Sequence, residues 1–136
     1  MPALDTNVLV RYVVRDDSAQ LAAARRLIDG YIATDQTLFV PVSVTLELEW
    51  VLRTGYGLDK EQVMHVLASL FSAAELSFES EHALEVALQL YREESADFAD
   101  CLHIALAAQA GEAPLWTFDR RAARVHGAEA VGSLGR

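Results

Sequence analysis

The chain has 136 residues, of which 52% are hydrophobic and 23% are charged, and its net charge is −9 at pH 7. This length predicts one domain, 1–136, and this apolar content excludes a disordered chain. The acidic balance argues against nucleic-acid binding through a generally basic surface, but it is compatible with a local basic patch or a divalent metal site.

The sequence contains no evident targeting or membrane segment. No apolar run approaches the length of a membrane-spanning helix, and residues 1–5 form neither a basic nor a cleavable apolar segment. The single cysteine, Cys101, excludes an internal disulfide and lies in an apolar helical pattern, which predicts a packed thiol in a reducing compartment. We therefore expect a cytoplasmic protein.

Short apolar runs alternate with longer segments of helical periodicity, which predicts an α/β fold with a mostly parallel sheet. In chain order, we predict a strand at 3–5, helices at 6–14 and 18–29, a strand at 37–40, helices at 42–54 and 59–72, a strand at 74–78, helices at 80–94 and 97–110, a strand at 115–117, a short helix at 120–125 and an edge strand at 129–131.

Acidic residues stand at the ends of apolar runs or inside them, where a charge is unfavourable. Asp5 ends the first predicted strand, and Asp119 follows the strand at 115–117. Ligands of open α/β sheets bind outside the carboxyl ends of the strands, where both residues are expected. Each is also a suitable N-cap for the helix after it, so capping is an alternative explanation.

Glu47 is predicted to face inward from the helix at 42–54, because the side chains at i−3, i+3 and i+4 are apolar: Val44, Trp50 and Val51. Glu49 has Arg53 at i+4, which predicts an ordinary surface ion pair, whereas Glu47 has no such partner. An inward carboxylate without an arginine indicates a bound cation.

Asp97 and Asp100 are spaced i, i+3 at the predicted start of a helix, so they share one face. A capping-box-like pair would explain both residues. The same spacing places both carboxylates at one helix end, where a cation could bind them. Four acidic signals distributed along one chain favour a shared cation.

Four segments together resemble the PIN-domain nucleases, and more closely the VapC-type toxins of toxin–antitoxin pairs. They are LDTNVL at 4–9, VTLELEWVL at 44–52, DFADCLH at 97–103 and TFDRR at 117–121. The resemblance covers nearly the whole chain, and the order and spacing of the segments are more specific than any one of them.

The resemblance implies an α/β/α sandwich with a mostly parallel central sheet of four to five strands. It implies a metal-dependent ribonuclease whose four-acid pattern falls on these positions: Asp5, Glu47, Asp100 and Asp119. Asp97 matches a frequent additional acid. The polar residues that flank the family's site match Thr6, Asn7 and Thr117.

A set of carboxylates without a Cys–His pair suits Mg²⁺ or Mn²⁺ and does not suit zinc. Crowded carboxylates repel, so at least one should titrate above its ordinary pKa. A bound ion would relieve the repulsion and activate water for attack on a phosphodiester. The arginines that follow Asp119 are candidates for binding substrate phosphates: Arg120, Arg121 and Arg124. A merely solvated helix face is the alternative explanation for them. Arg11 and Arg15 are a further candidate pair.

The resemblance also implies an RNA substrate, an antitoxin protein partner and a homodimer. Residues 42–72 carry many large apolar side chains, some of which would form a partner surface if they are not core: Trp50, Leu52, Tyr56, Leu58, Met64, Leu67, Leu70 and Phe71. The alternative function is a catalytically silent PIN-fold interaction module. A haloacid-dehalogenase-like phosphohydrolase is disfavoured by Asn7, where a second aspartate is required, and by Lys60 as the single lysine.

Overall fold

The computed structural model describes residues 1–14 and 18–132. By its internal contacts the chain divides into two compact units, Met1–Glu79 and Ser80–Arg136. Within the described residues, each unit contains its own helices and its own pair of parallel strands. No helix in these ranges combines the length and hydrophobicity needed to cross a membrane.

The first unit carries four helices and two strands in the described ranges. They are α1 (Thr6–Val14), α2 (Ser18–Ile32), β1 (Leu38–Val40), α3 (Val42–Thr54), α4 (Lys60–Phe71) and β2 (Leu76–Phe78). β1 pairs in parallel with β2, with Leu38 opposite Leu76. The predicted first strand is reduced to one parallel bridge, between Ala3 and Phe39.

Helix packing in the first unit sets the direction of α1 and α3. α1 packs against α2 and α3, and α3 packs against α4. The interior is aliphatic: Leu9, Ile28, Val40, Leu48, Leu52, Val63 and Leu67. α4 begins with a capping box, since the Asp59 carboxylate accepts from the Gln62 N–H at 2.9 Å and the Gln62 side chain accepts from the Asp59 N–H at 2.9 Å.

The buried face of α3 differs from the predicted one. Glu49 is only 2% exposed and its Oε2 lies 2.9 Å from Nε of Arg53, whereas Glu47 is exposed and Trp50 is 58% exposed. The prediction that Glu47 faces inward and that Glu49 forms a surface pair was therefore wrong. The residues that are buried also have helical spacing: Thr45, Leu48, Glu49 and Leu52. Two of them, Thr45 and Glu49, are polar.

The second unit consists of α5 (Glu81–Glu93), α6 (Phe98–Gln109), β3 (Leu115–Thr117), α7 (Arg120–Ala123) and β4 (Ala128–Ala130). β3 pairs in parallel with β4, with Trp116 opposite Glu129. α5 packs along α6, and the rings of Tyr91 and Phe98 meet edge to face at 5.6 Å. Cys101 is buried, as predicted.

The strand pairs are parallel, as predicted, and most helix bounds agree with the sequence analysis within a few residues. The helix predicted at 18–29 continues to Ile32, and the one predicted at 120–125 ends at Ala123. The described residues pair as two two-stranded sheets and one bridge, so a single sheet of four to five strands is not shown. Each strand has only three residues and therefore few ladder hydrogen bonds.

Replacing the buried carboxylate of α3 should cost stability, and replacing the exposed one should not. We expect Glu49→Ala to lower the free energy of unfolding by about 1–3 kcal/mol, because it removes a charge-assisted hydrogen bond to Arg53. Glu47→Ala is the matched control, with an expected change within about 0.5 kcal/mol. Urea unfolding in EDTA measures both, and equal losses would contradict the assigned faces of α3.

Candidate active site

Asp5 stands at the start of α1, where its carboxylate has a structural role. Its Oδ1 accepts a hydrogen bond from the Val8 N–H at 3.2 Å, so Asp5 caps the helix. The Asp5 side chain remains exposed, as does that of Asn7, whereas Thr6 between them is 5% exposed. The capping interpretation is therefore correct for Asp5, and the carboxylate is still accessible to solvent.

Glu47 lies in the second turn of α3, the helix against which α1 packs. Asp5 and Glu47 thus belong to two adjacent helices of the same unit. The exposure of Glu47 removes the argument that a buried charge needs a cation. It leaves an accessible carboxylate without a basic residue paired to it in the described part of the chain.

A pocket of about 350 Å³ opens beside Asp5, between α1 and α2. Arg11 lies in its wall, where Nη1 donates to the Tyr56 hydroxyl at 2.8 Å and Nε donates to Oε1 of Gln20. These bonds fix the guanidinium against the pocket that Asp5 and Asn7 also line. Arg15, the other member of the predicted arginine pair, lies outside the described residues.

Three acids of the second unit occupy the start of α6 and the end of β3, two elements that pack together. Asp97 is at the N-cap position of α6 but makes no side-chain capping bond. Asp100 is in the first turn of α6 and is partly buried. Asp119 follows β3, where its Oδ1 accepts from the Ala122 N–H at 2.9 Å and its own N–H donates to Oγ1 of Thr117 at 3.0 Å.

Burial raises the pKa of the Asp100 carboxyl above its ordinary value of 3.8, and the negative charges of Asp119 and Asp97 raise it further. Asp97 and Asp119 therefore each lie within electrostatic reach of Asp100. This is the repulsion that the sequence analysis expected of a crowded acidic site. The charge of His103 acts in the opposite direction and lowers the pKa of Asp100.

His103 was missed as a site residue by the sequence analysis. It is exposed on α6, three residues after Asp100, and its interaction with that carboxylate places it beside the acids. The i, i+3 spacing of Asp100 and His103 was the available signal. The sequence analysis used His103 only as part of the segment at 97–103.

The segment around Asp119 also carries exposed cationic and aromatic side chains. Arg120, Arg121 and Arg124 are all exposed, as a substrate-phosphate role requires. Phe118, directly before Asp119, is 86% exposed. The sequence analysis treated Phe118 only as part of a motif, because an apolar residue after a strand ordinarily indicates core.

The first unit thus contributes Asp5 and Glu47, and the second contributes Asp97, Asp100 and Asp119. Within neither unit do the described residues form a group of three or more Asp, Glu, His or Cys side chains close enough to hold a metal ion. The convergence of the four acids on one cation stays a prediction. The donor set fits a hard divalent ion, because it consists of carboxylate oxygens, and no described ion pair occupies any of the five acids.

Two comparisons place the chain among known proteins. The PIN domain family matches residues 3–128. A VapC ribonuclease of Aquifex aeolicus (strain VF5) is 26% identical over 121 residues, a region that covers 89% of this chain and 89% of that protein. The family match spans all five acids from Asp5 to Asp119, so the chain belongs to the PIN domain family, as its four sequence motifs had implied.

Proposed function

We propose that this chain is a metal-dependent ribonuclease that acts as the toxin of a toxin–antitoxin pair. The observation that carries the proposal is the grouping of Asp97, Asp100 and Asp119 at the start of α6 and just after β3, two elements that pack together in a PIN-domain chain. Burial and the charges of its two acidic neighbours raise the pKa of Asp100, which is typical of a functional site. The similarity to a VapC ribonuclease supports RNA as the substrate.

Asp5, Glu47, Asp100 and Asp119 are the residues proposed to hold Mg²⁺, with Mn²⁺ as an equally suitable ion for oxygen ligands. When bound, the ion supplies Lewis-acid chemistry and a more acidic water for phosphodiester hydrolysis. Asp97, whose carboxylate makes no capping bond, is proposed to hold and orient the attacking water.

The neighbouring polar residues are proposed to orient these ligands. Thr117 accepts the Asp119 N–H at 3.0 Å and so fixes the turn from which that carboxylate projects. Thr6 and Asn7 follow Asp5 in the first turn of α1 and are proposed to provide polar surroundings for the Asp5 carboxylate. Arg120, Arg121 and Arg124 bind phosphates of the RNA, because exposed guanidinium groups pair well with phosphate oxygens.

The proposed partners are an antitoxin protein and a second copy of the chain. Of the large apolar residues between 42 and 72, Leu52, Leu67 and Leu70 are buried, whereas Trp50 is 58% exposed. Trp50 therefore supports a partner surface on α3, and the three leucines belong to the core. Neither the structure nor the comparisons favour the alternative of a catalytically silent module.

Removing single acids should abolish RNA cleavage. We expect Asp5→Ala and Asp100→Asn each to lower the cleavage rate with Mg²⁺ or Mn²⁺ by more than about 100-fold, because even outer-shell substitutions at metal sites cost 10–100-fold. Asp29→Asn changes an exposed acid of α2 and is the control. RNA cleavage in gels measures all four proteins, and equal activities would refute the assignment.

The raised pKa of Asp100 predicts a pH-dependent gain in stability for Asp100→Asn. The folded state binds the Asp100 proton more tightly than the unfolded state does. The contribution of Asp100 to the free energy of unfolding therefore falls as the pH rises from 3.8 through the raised pKa. Without metal, Asp100→Asn should therefore raise the unfolding free energy at neutral pH, and the gain should vanish below about pH 3.8.

Thermal unfolding in EDTA across this pH range measures the effect, with Asp29→Asn as control. Saturating Mn²⁺ should stabilise the wild-type protein more than Asp100→Asn, because binding to the folded state raises its stability by mass action. A gain that is independent of pH would contradict the proposed electrostatic origin.

The dimer is tested by size-exclusion chromatography with light scattering. We expect a mass about twice the 14.9 kDa of one chain. Trp50→Ser should lower the fraction of dimer if Trp50 lies in the interface, and Val86→Ser, at an exposed hydrophobic position of α5, is the control. A monomer at all concentrations would exclude the homodimer.

A further inference from the structure

Phe118 is the most exposed large hydrophobic side chain of the described residues, at 86%. It lies between the last residue of β3 and Asp119, whose N–H donates to Oγ1 of Thr117 and whose Oδ1 accepts from the Ala122 N–H. Trp116, two residues earlier, is 45% exposed. Exposed aromatic rings therefore flank Thr117, next to an acid of the proposed active site.

The charge around Phe118 distinguishes it from an ordinary apolar patch. Arg120, Arg121 and Arg124 follow it within six residues, and all three are exposed. Ala122 and Val125 are buried, so this short cationic segment is anchored to its unit while its arginines face solvent. An aromatic face next to several guanidinium groups is the combination by which proteins bind unpaired nucleic acid.

We propose that Phe118 stacks against an unpaired base of the RNA, beside the phosphates bound by Arg120 and Arg121. This inference rests on the proposed function and assigns the positioning of the RNA substrate to Phe118. Phe118 precedes Asp119 directly, in a turn held by the hydrogen bonds of Asp119, so a stacked base would position the adjacent RNA backbone relative to that carboxylate. A base inside a duplex has no free face to offer, and stacking therefore selects single-stranded RNA.

The opposing reading is that Phe118 belongs to an apolar protein-docking surface. The three neighbouring arginines favour RNA, because guanidinium groups pair with phosphate oxygens through two hydrogen bonds. The two readings differ in what they require of residue 118. Stacking requires a planar π-system, and apolar docking requires only hydrophobic volume.

Binding is measured in the Asp100→Asn background with a short, fluorescein-labelled single-stranded RNA of mixed sequence. Phe118→Ala should weaken binding by about 5- to 150-fold, the range that corresponds to the stacking of one base. Phe118→Tyr retains the ring and should bind as tightly as the parent. Phe118→Leu retains apolar volume without the ring, and its RNA binding should be as weak as that of Phe118→Ala.

Val86→Ala, at an exposed position of α5, is the control and should bind as the parent does. A 2-aminopurine base in the RNA reports stacking directly, since its fluorescence is quenched in a stack. We expect quenching with the parent and the Tyr variant, and none with the Leu variant. Circular dichroism verifies that each variant is folded, and the Leu variant serves as the second test if the Ala variant is not.

Two results would overturn the inference while leaving the proposed function intact. One is RNA binding by Phe118→Leu as tight as that of the parent, which assigns Phe118 to apolar docking. The other is undiminished binding by Phe118→Ala while Asp5→Ala abolishes cleavage. A wild-type protein that neither binds nor cleaves RNA would reject the proposed function and the stacking together.

Discussion

Electrostatic repulsion among carboxylates is the constraint on which the second unit's part of the proposed site depends. Asp97 and Asp100 lie at the start of one helix, and Asp119 lies at the end of the strand that packs on it. Their charges and partial burial raise the pKa of Asp100. Negative charge is favoured at a helix N-terminus, so α6 offsets part of this repulsion. The repulsion that is not offset favours the binding of a cation by these carboxylates.

Capping and metal binding are compatible roles for the same carboxylate. Asp5 and Asp119 each use Oδ1 to accept one backbone N–H, at 3.2 Å and 2.9 Å. An ionised carboxylate has two oxygens and about four acceptor positions, so one bond leaves most of its capacity unused. The cap instead fixes the orientation of the side chain. Asp97 differs because it stands at a cap position without making the bond, which leaves both of its oxygens uncommitted.

Helix existence was predictable from local sequence, and the bounds of α1 and α3 agree with the prediction. The buried face of α3 was not predictable from local sequence, because two stripes of this helix have suitable spacing. One contains Glu47 and Trp50, and the other contains Leu48 and Glu49. The sequence analysis took the first stripe as buried, because the helical neighbours of Glu47 are apolar and Glu49 has Arg53 at i+4 as a partner on the surface. The fold buries the other stripe, and Glu49 is neutralised by Arg53 one turn later.

The start of α3 shows a second limit of local reasoning. Pro41 at the N-cap position has no side chain that can cap, and the Val42 N–H instead donates to Oε1 of Glu79, at 2.8 Å. This partner lies 37 residues away in the sequence, so no capping motif could have indicated it. The site acids could be predicted because they lie in short motifs, whereas the exposure of Glu47 and of Phe118 depends on tertiary packing.

A net charge of −9 and an RNA substrate are compatible because solvent screening makes electrostatics local. At physiological ionic strength exposed charges interact weakly beyond about 8 Å. An incoming phosphate therefore responds to the arginines after Asp119 more than to acids elsewhere on the surface. Bound divalent cations would add positive charge among the acids themselves and change the local sign there. The acidic surface then opposes binding of RNA at other positions, so the same charge that disfavours general binding favours binding at the site.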